Sequence, residues 1–419
     1  MGAEINQQVR RRRVFYIPGY DPIHPRRYRE LYRKEGAAQA EISGYTIALA
    51  PKRGGGPYGW HVNATQDGAA VETDVEVLVW SDIVRDSMGA SILATYGQLA
   101  RTAWTYIASG ALFRLMQLRK GPVIAALYPI AALLVQALIG LGLGWGVATL
   151  ALWALPEVPG GAAVALALGA AGLTLTLRWF RRHDGKFYAY YLMHDYAFSA
   201  GWGGANPPAL ETRMAEFRAA IAESLTEDWD EVLIVGHSSG AHLAVSILAD
   251  LIRGAPPASS WQKYSNRTAE HGPALGFLSL GQVVPMVSFL PRATRLRADL
   301  AFLSARPELT WVDVTAPGDG CAFALCDPVK VSGVAPPDQR GPLVLSAAFT
   351  QTLSPERWAE LRWRFFRLHF QYLCAFDRPG DYDYFRITAG PQTLAARYAG
   401  RPPSKSRIER AANRYTTCA

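Results

Sequence analysis

Residues Val232–Leu243 read "VLIVGHSSGAHL", and the rest of the chain is organised around how this stretch folds. A run of aliphatic residues enters Gly236-His237-Ser238-Ser239-Gly240, and small, helix-favouring residues follow. The pattern reads as a buried strand, a tight turn and a helix. Working outward, "ALGFLSLG" (274–281) and "LTWVDVTAP" (309–317) read as strands, separated by the helical pattern "RATRLRADLAFLSA" (292–305). Upstream, Val14–Ile17, "YTIALAP", "WHVNATQ" and "VETDVEVLVW" read as strands, and "PRRYRELYRKEGAAQAEI" and "LETRMAEFRAAIAESL" as helices. Strands alternating with helices predict an α/β fold: a mostly parallel sheet with helices on both faces.

One segment breaks this alternation. From Gly121 to Leu177 there are 57 residues whose only formal charge is Glu157. A bilayer core about 30 Å thick takes about 20 helical residues per crossing, so the segment holds two crossings and a turn. The turn is "LPEVPGG" (155–161), with crossings expected within about 122–153 and 162–180. A buried helical pair is the alternative, but no polar stripe marks it. Gly140, Gly144 and Gly169 offer either close backbone approach or simple flexibility. Arg114, Arg119 and Lys120 precede the hairpin and Arg178, Arg181, Arg182 and Lys186 follow it, which predicts a cell-membrane protein with both termini and the main domain cytoplasmic. The expected organisation is a discontinuous domain of residues 10–100 and 183–400, an inserted membrane segment of residues 101–182, and a basic tail of residues 401–419. Ser91–Lys120, apolar with interleaved Trp and Tyr, reads equally as an interfacial helix or as a core-facing one.

Net charge is +8, with basic residues at Arg10–Arg13 and in the tail. These are either contacts to an anionic leaflet or solvated surface. No basic-aromatic pattern points to nucleic acid. The N-terminal stretch lacks the apolar core of a secretory signal, and Asn6 departs from the myristoylation pattern. Cys321, Cys326, Cys374 and Cys418 show no metal-ligand spacing and read as reduced thiols. "GGGPYG" (54–59) lacks the spacing and following helix of a dinucleotide site.

The turn at Ser238 matches G-x-S-x-G between a strand and a helix. Glycine two positions either side lets helix and strand pack closely while the serine Oγ is exposed at the carboxyl edge of the sheet. On "LIVGHSSGAHLAV" and the elements around it, the chain resembles the α/β-hydrolase family across most of residues 10–400, with the hairpin as an addition. That resemblance implies a triad in chain order serine, acid, histidine. Under this order His369 is the base, being the sole histidine beyond residue 271; a packed core histidine is the bland alternative. The acid is Asp319, in the Pro-Gly-Asp-Gly turn after a late strand, with Asp313 and Asp327 as alternatives and a plain turn residue as the bland reading. Oxyanion donors are expected from the N–H of Ser239 and, across the Pro18-Gly19-Tyr20 turn, of Tyr20, with Gly19 giving close approach. Pro18 departs from the His-Gly frequent there in the family.

The expected chemistry is two-step acyl transfer on lipid or other lipophilic acyl esters, without metal or organic cofactor. The alternatives are an acyltransferase of the same fold and a non-catalytic membrane-anchored scaffold.

Overall fold

The computed structural model describes residues 8–52, 54–155, 158–254 and 272–418. Part of the expected hairpin turn (Pro156, Glu157), the first seven residues and His271 lie outside the described residues. Eight strands form one sheet: β1 (Arg11–Ile17), β2 (Thr46–Pro51), β3 (Gly59–Gln66), β4 (Ala69–Val77), β5 (Glu231–His237), β6 (Ala274–Leu280), β7 (Leu309–Thr315) and β8 (Leu343–Ser346). Their order is β2-β3-β4-β1-β5-β6-β7-β8. Pairing is parallel from β4 through β8, and β3 alone runs against its neighbours.

The strands nearest the centre are covered on both faces. Alternation along β1 sends Val14 and Tyr16 to one core and Phe15 and Ile17 to the other. β5 divides likewise, with Leu233 and Val235 on one side and Val232 and Ile234 on the other. This two-sided burial is why "EVLIVGH" is continuously apolar up to Gly236 instead of alternating. The helix Arg26–Ser43 and the C-terminal segments cover the first face. The helices Pro208–Ser224, Ser239–Gly254 and Thr294–Ser304 cover the second.

The apolar segment forms two antiparallel helices, Lys120–Ala154 and Gly161–Arg182, inserted between β4 and β5. At 1.5 Å per residue the second is about 33 Å long, close to the thickness of a hydrocarbon core. The first is longer because its N-terminal part packs on the helix Ala189–Gly201, where Leu133 joins Ala189, Tyr190 and Met193 in one buried cluster. Beyond Leu133 its apolar side chains are largely exposed, Leu138, Trp145, Leu150 and Trp153 among them. The three hairpin glycines lie at the contact: a Cβ on Gly144 would be 2.6 Å from the Gly169 carbonyl oxygen, and one on Gly140 2.8 Å from Leu173 Cδ1.

The helix Ile92–Ala108 runs unbroken through residues 100 and 101. It buries Thr95, Leu99, Thr102 and Tyr106 while leaving Leu93, Trp104 and Ile107 exposed. One face is thus core-facing, and the outward face carries the tryptophan.

Half of the basic run at the N-terminus is turned inward, while Arg10 and Arg11 stay exposed. Arg12 is buried, with Nε 2.6 Å from Glu231 Oε2 and its other nitrogens on the carbonyls of Gly390 and Gln392. Arg13 pairs with Asp74 and Glu76, and Arg11 with Asp228. The basic tail is docked as well. Ile408 exchanges backbone bonds with Leu325 and Asp327, Ala412 is buried, and Glu409 takes Lys330 and Arg407.

Candidate active site

Ser238 is held in a left-handed backbone conformation, φ +55°, between the last residue of β5 and the first of the helix Ser239–Gly254. Such a conformation costs a non-glycine residue about 1–3 kcal/mol and persists only where the surroundings impose it. Here the Ser238 N–H donates to Leu280 O at 2.9 Å, and its carbonyl accepts from the Ala241 N–H. The two flanking glycines have steric causes. A Cβ on Gly236 would lie 2.8 Å from Ala241 Cα, and one on Gly240 would run into the carbonyl oxygens of Ile17 and Pro18. Helix, β5 and β1 therefore meet closely enough to tolerate hydrogen alone at both positions.

The turn after β1 comes up against the serine. A Cβ on Gly19 would be 3.0 Å from Ser238 Cβ and 3.4 Å from its Oγ. The backbone N–H of Tyr20 makes no hydrogen bond among the described residues. The N–H of Ser239 belongs to the first turn of its helix, where donors lack intrahelical partners. Tyr20 itself is fixed by its hydroxyl on Ser87 and by the Tyr191 hydroxyl, which donates to its carbonyl.

The structure brings Asp319 to His369. Asp319 sits beyond the end of β7, and its Oδ2 is 2.7 Å from His369 Nδ1. The same oxygen accepts from the Tyr372 hydroxyl at 3.0 Å, and Oδ1 accepts from the Cys321 N–H at 2.9 Å. Burial disfavours the charged carboxylate, but the His369 ring and these donors outweigh it and hold the carboxyl below its usual range. A carboxylate only accepts, so the proton lies on Nδ1 and leaves Nε2 as the basic nitrogen. Asp313 and Asp327 do not reach His369. Asp313 is buried in β7 with Oδ1 2.5 Å from the Ser279 hydroxyl, and Asp327 caps the turn of residues 328–331 and accepts from Gln339.

His237, inside the motif, is the second imidazole here. Its ring centre is 4.8 Å from that of His369, and its Nε2 is 3.0 Å from the His369 carbonyl oxygen. Burial, and then the charge of His369, push its pKa down to about 3, so it stays neutral.

Ser238, His369 and Gly19 line one cavity of about 480 Å³. Its far wall is the helix Ala189–Gly201 with the residue before it: Tyr188, Tyr191, Leu192, Asp195 and Ser199 recur at helical spacing and all face in. Asp195 was not singled out from the sequence, although this i, i+3, i+4, i+7 stripe was readable in "YAYYLMHDYAFS". The root of the hairpin forms part of the rim. Pro122, at the start of the first apolar helix, and Asp184 and Gly185, just after the second, line the cavity. Gly121 packs on Gly320 beside the acid, and Arg119 donates to the Ala324 carbonyl.

Asp319, Cys321 and His369 also form a compact group of metal-ligating types, their ligand atoms within 4.8 Å of one another. They do not suit a metal as arranged. Both carboxylate oxygens are engaged, and burial raises the Cys321 thiol well above its usual pKa, so the sulfur is not the thiolate that binds metals.

Comparison of the chain with protein-family models, with curated proteins and with solved structures finds no match.

Proposed function

We propose that this chain is a membrane-anchored serine hydrolase, α/β-hydrolase-like in arrangement, that cleaves carboxylic esters with a lipophilic acyl part. The observation that carries the reading is the pairing of Asp319 with Nδ1 of His369, in the same cavity as a serine held in a left-handed strand-to-helix turn. In this mechanism His369 Nε2 takes the proton of Ser238 Oγ as the oxygen attacks the ester carbonyl. Asp319 keeps the imidazole oriented and stabilises its positive charge. The N–H groups of Ser239 and Tyr20 receive the oxyanion. Collapse of the tetrahedral intermediate expels the alcohol, protonated by His369, and leaves an acyl-Ser238 ester. Water activated by the same nitrogen then releases the acid.

The lipophilic substrate follows from position. Two apolar helices with unpartnered faces enter and leave the body at the cavity rim, so an ester resident in the adjoining leaflet has a short path to Ser238. The arginines and lysines that flank the hairpin support a cytoplasmic side for this rim.

The test is labelling by a fluorophosphonate in native membranes. Wild type is labelled and Ser238→Ala is not. Labelling that does not depend on Ser238, or none at all, overturns the hydrolase reading and favours a scaffold.

A further inference from the structure

The lining of the cavity that holds Ser238 is largely aromatic and acidic. Tyr20, Tyr28, Tyr106, Tyr191, Tyr196 and Phe366 contribute to it. The lining carboxylates are Asp21, Asp184 and Asp195, against one guanidinium, Arg27. Two of the three carboxylates are already engaged. Asp21 accepts from the Tyr28 hydroxyl at 2.6 Å and pairs with Arg27. Asp184 accepts from the backbone N–H groups of Tyr190 and Tyr191, both at 2.9 Å. Asp195 differs: its carboxylate has no hydrogen-bond or ion-pair partner among the described residues.

We propose that Asp195 and the surrounding tyrosines form a subsite for an ammonium group carried by the substrate, so that the preferred ester bears a cationic amine close to its scissile bond. This rests on the serine-hydrolase reading of Ser238.

The physical argument has two parts. The Asp195 carboxylate, partly exposed to the cavity among aromatic rings, has no counter-charge paired with it among the described residues; burial pushes its pKa up to about 7, with only His369 acting in the other direction. A fixed positive charge entering the cavity supplies the missing partner. Tyrosine ring faces carry negative potential, and quaternary and protonated amines bind between such faces. A neutral acyl chain gains from the rings alone. An anionic group meets an unfavourable charge at Asp195, since Arg27 is held by Asp21.

The experiment compares two esters of one acid that differ only in charge: butyrylcholine and 3,3-dimethylbutyl butyrate, in which carbon replaces the quaternary nitrogen. Both are assayed on full-length protein in detergent. Wild type is expected to favour the cationic ester in kcat/KM by about tenfold or more, and Asp195→Asn to reduce that ratio toward one. Binding of butyrylcholine to Ser238→Ala is measured by calorimetry alongside, and is expected to be lost in Ser238→Ala/Asp195→Asn. Equal turnover of the two esters by wild type, with Ser238-dependent fluorophosphonate labelling intact, overturns the ammonium subsite and leaves the hydrolase reading standing. Absent labelling together with Asp195-dependent binding of butyrylcholine overturns the hydrolase reading and keeps the subsite. A selectivity ratio or a binding constant unchanged in the Asp195→Asn background overturns the role given to Asp195.

Discussion

His237 Nε2 lies 3.0 Å from the carbonyl oxygen of His369. The residue preceding Ser238 thus holds the backbone of His369, the base of the proposed mechanism. Removing one neutral hydrogen bond of this kind costs about 1 kcal/mol, or about fivefold, and misplacement of the base adds to it. His237→Ala is expected to lower kcat about tenfold with little change in KM. His237→Gln, whose amide nitrogen reaches the place of Nε2, should recover part of the loss. Because His237 stays neutral down to about pH 3, neither variant should move the pH profile of kcat/KM. A shifted profile would mean that His237 itself carries a proton in the reaction.

Asp319→Asn removes the acceptor that fixes the His369 tautomer, and kcat should fall by about 10³–10⁴ while the fold persists. Tyr372→Phe removes one donor to the same carboxylate and an acceptor for the Ala316 N–H, and should cost about threefold to tenfold. Steady-state ester hydrolysis ranks the two, and equal losses would argue against Asp319 as the orienting acid.

Gly240→Ala drives a methyl group into the Ile17 and Pro18 carbonyls and should destabilise the protein by about 3 kcal/mol or more. Gly97→Ala, on the exposed face of the helix Ile92–Ala108 with open space at its Cβ, should be neutral or stabilising by up to about 1 kcal/mol. Thermal unfolding in detergent separates the two. Matching midpoints would mean that the helix does not sit against β1 as described.

Asp313 is a buried carboxyl whose pKa burial pushes up to about 8. In the window between its unfolded value, about 4, and about 8, the native state binds more protons than the unfolded chain, so stability falls as pH rises and levels off above that. Asp313→Asn removes this slope. Unfolding midpoints across pH 5 to 8 should therefore fall for wild type more steeply than for the variant, and parallel curves would place the titration elsewhere.

Gly144 and Gly142 lie two residues apart in the same apolar helix. A side chain at Gly144 meets the Gly169 backbone, while one at Gly142 meets open space. Gly144→Leu should spread the hairpin and lower the unfolding midpoint in detergent, whereas Gly142→Leu should leave it nearly unchanged, because small residues are what let the two backbones approach. Equal effects would mean the helices do not meet along this face.

Much of the sheet was readable because its inner strands are buried on both sides. "VLIV", "GFLSL" and "WVDV" have no other stable place, and two-sided burial is a sequence property. β8 was not readable: four residues, "LVLS", give too little pattern to separate a strand from a loop. Within Arg10–Arg13, Arg12 and Arg13 turn inward to ion pairs with Glu231, Asp74 and Glu76, which the linear sequence keeps far apart, while Arg10 and Arg11 stay at the surface. For the site, Ser238 and Asp319 were legible because each follows a recognisable strand, and His369 because it is the sole histidine beyond residue 271 under the chain order that the resemblance implies. The stripe that carries Asp195 is legible in the sequence, but that it and Tyr372 meet the cavity depends on which faces of which helices pack over it, and local pattern does not encode that.

The first strand of the chain, β1, pairs with β4 on one side and β5 on the other, with Arg12 opposite Glu231. Translation runs from the N-terminus, so residues 120–182 leave the ribosome before β5 has been made. One edge of β1 therefore stays open while the apolar hairpin has already been made, and β5, which leads into Ser238, is delivered late to a half-sheet of β1 to β4. The long separation between β1 and β5 makes this closure slow relative to local helix formation. Synthesis of the apolar hairpin and completion of the sheet are thus ordered in time by where the hairpin interrupts the chain, and on the membrane-anchored reading proposed above insertion comes first.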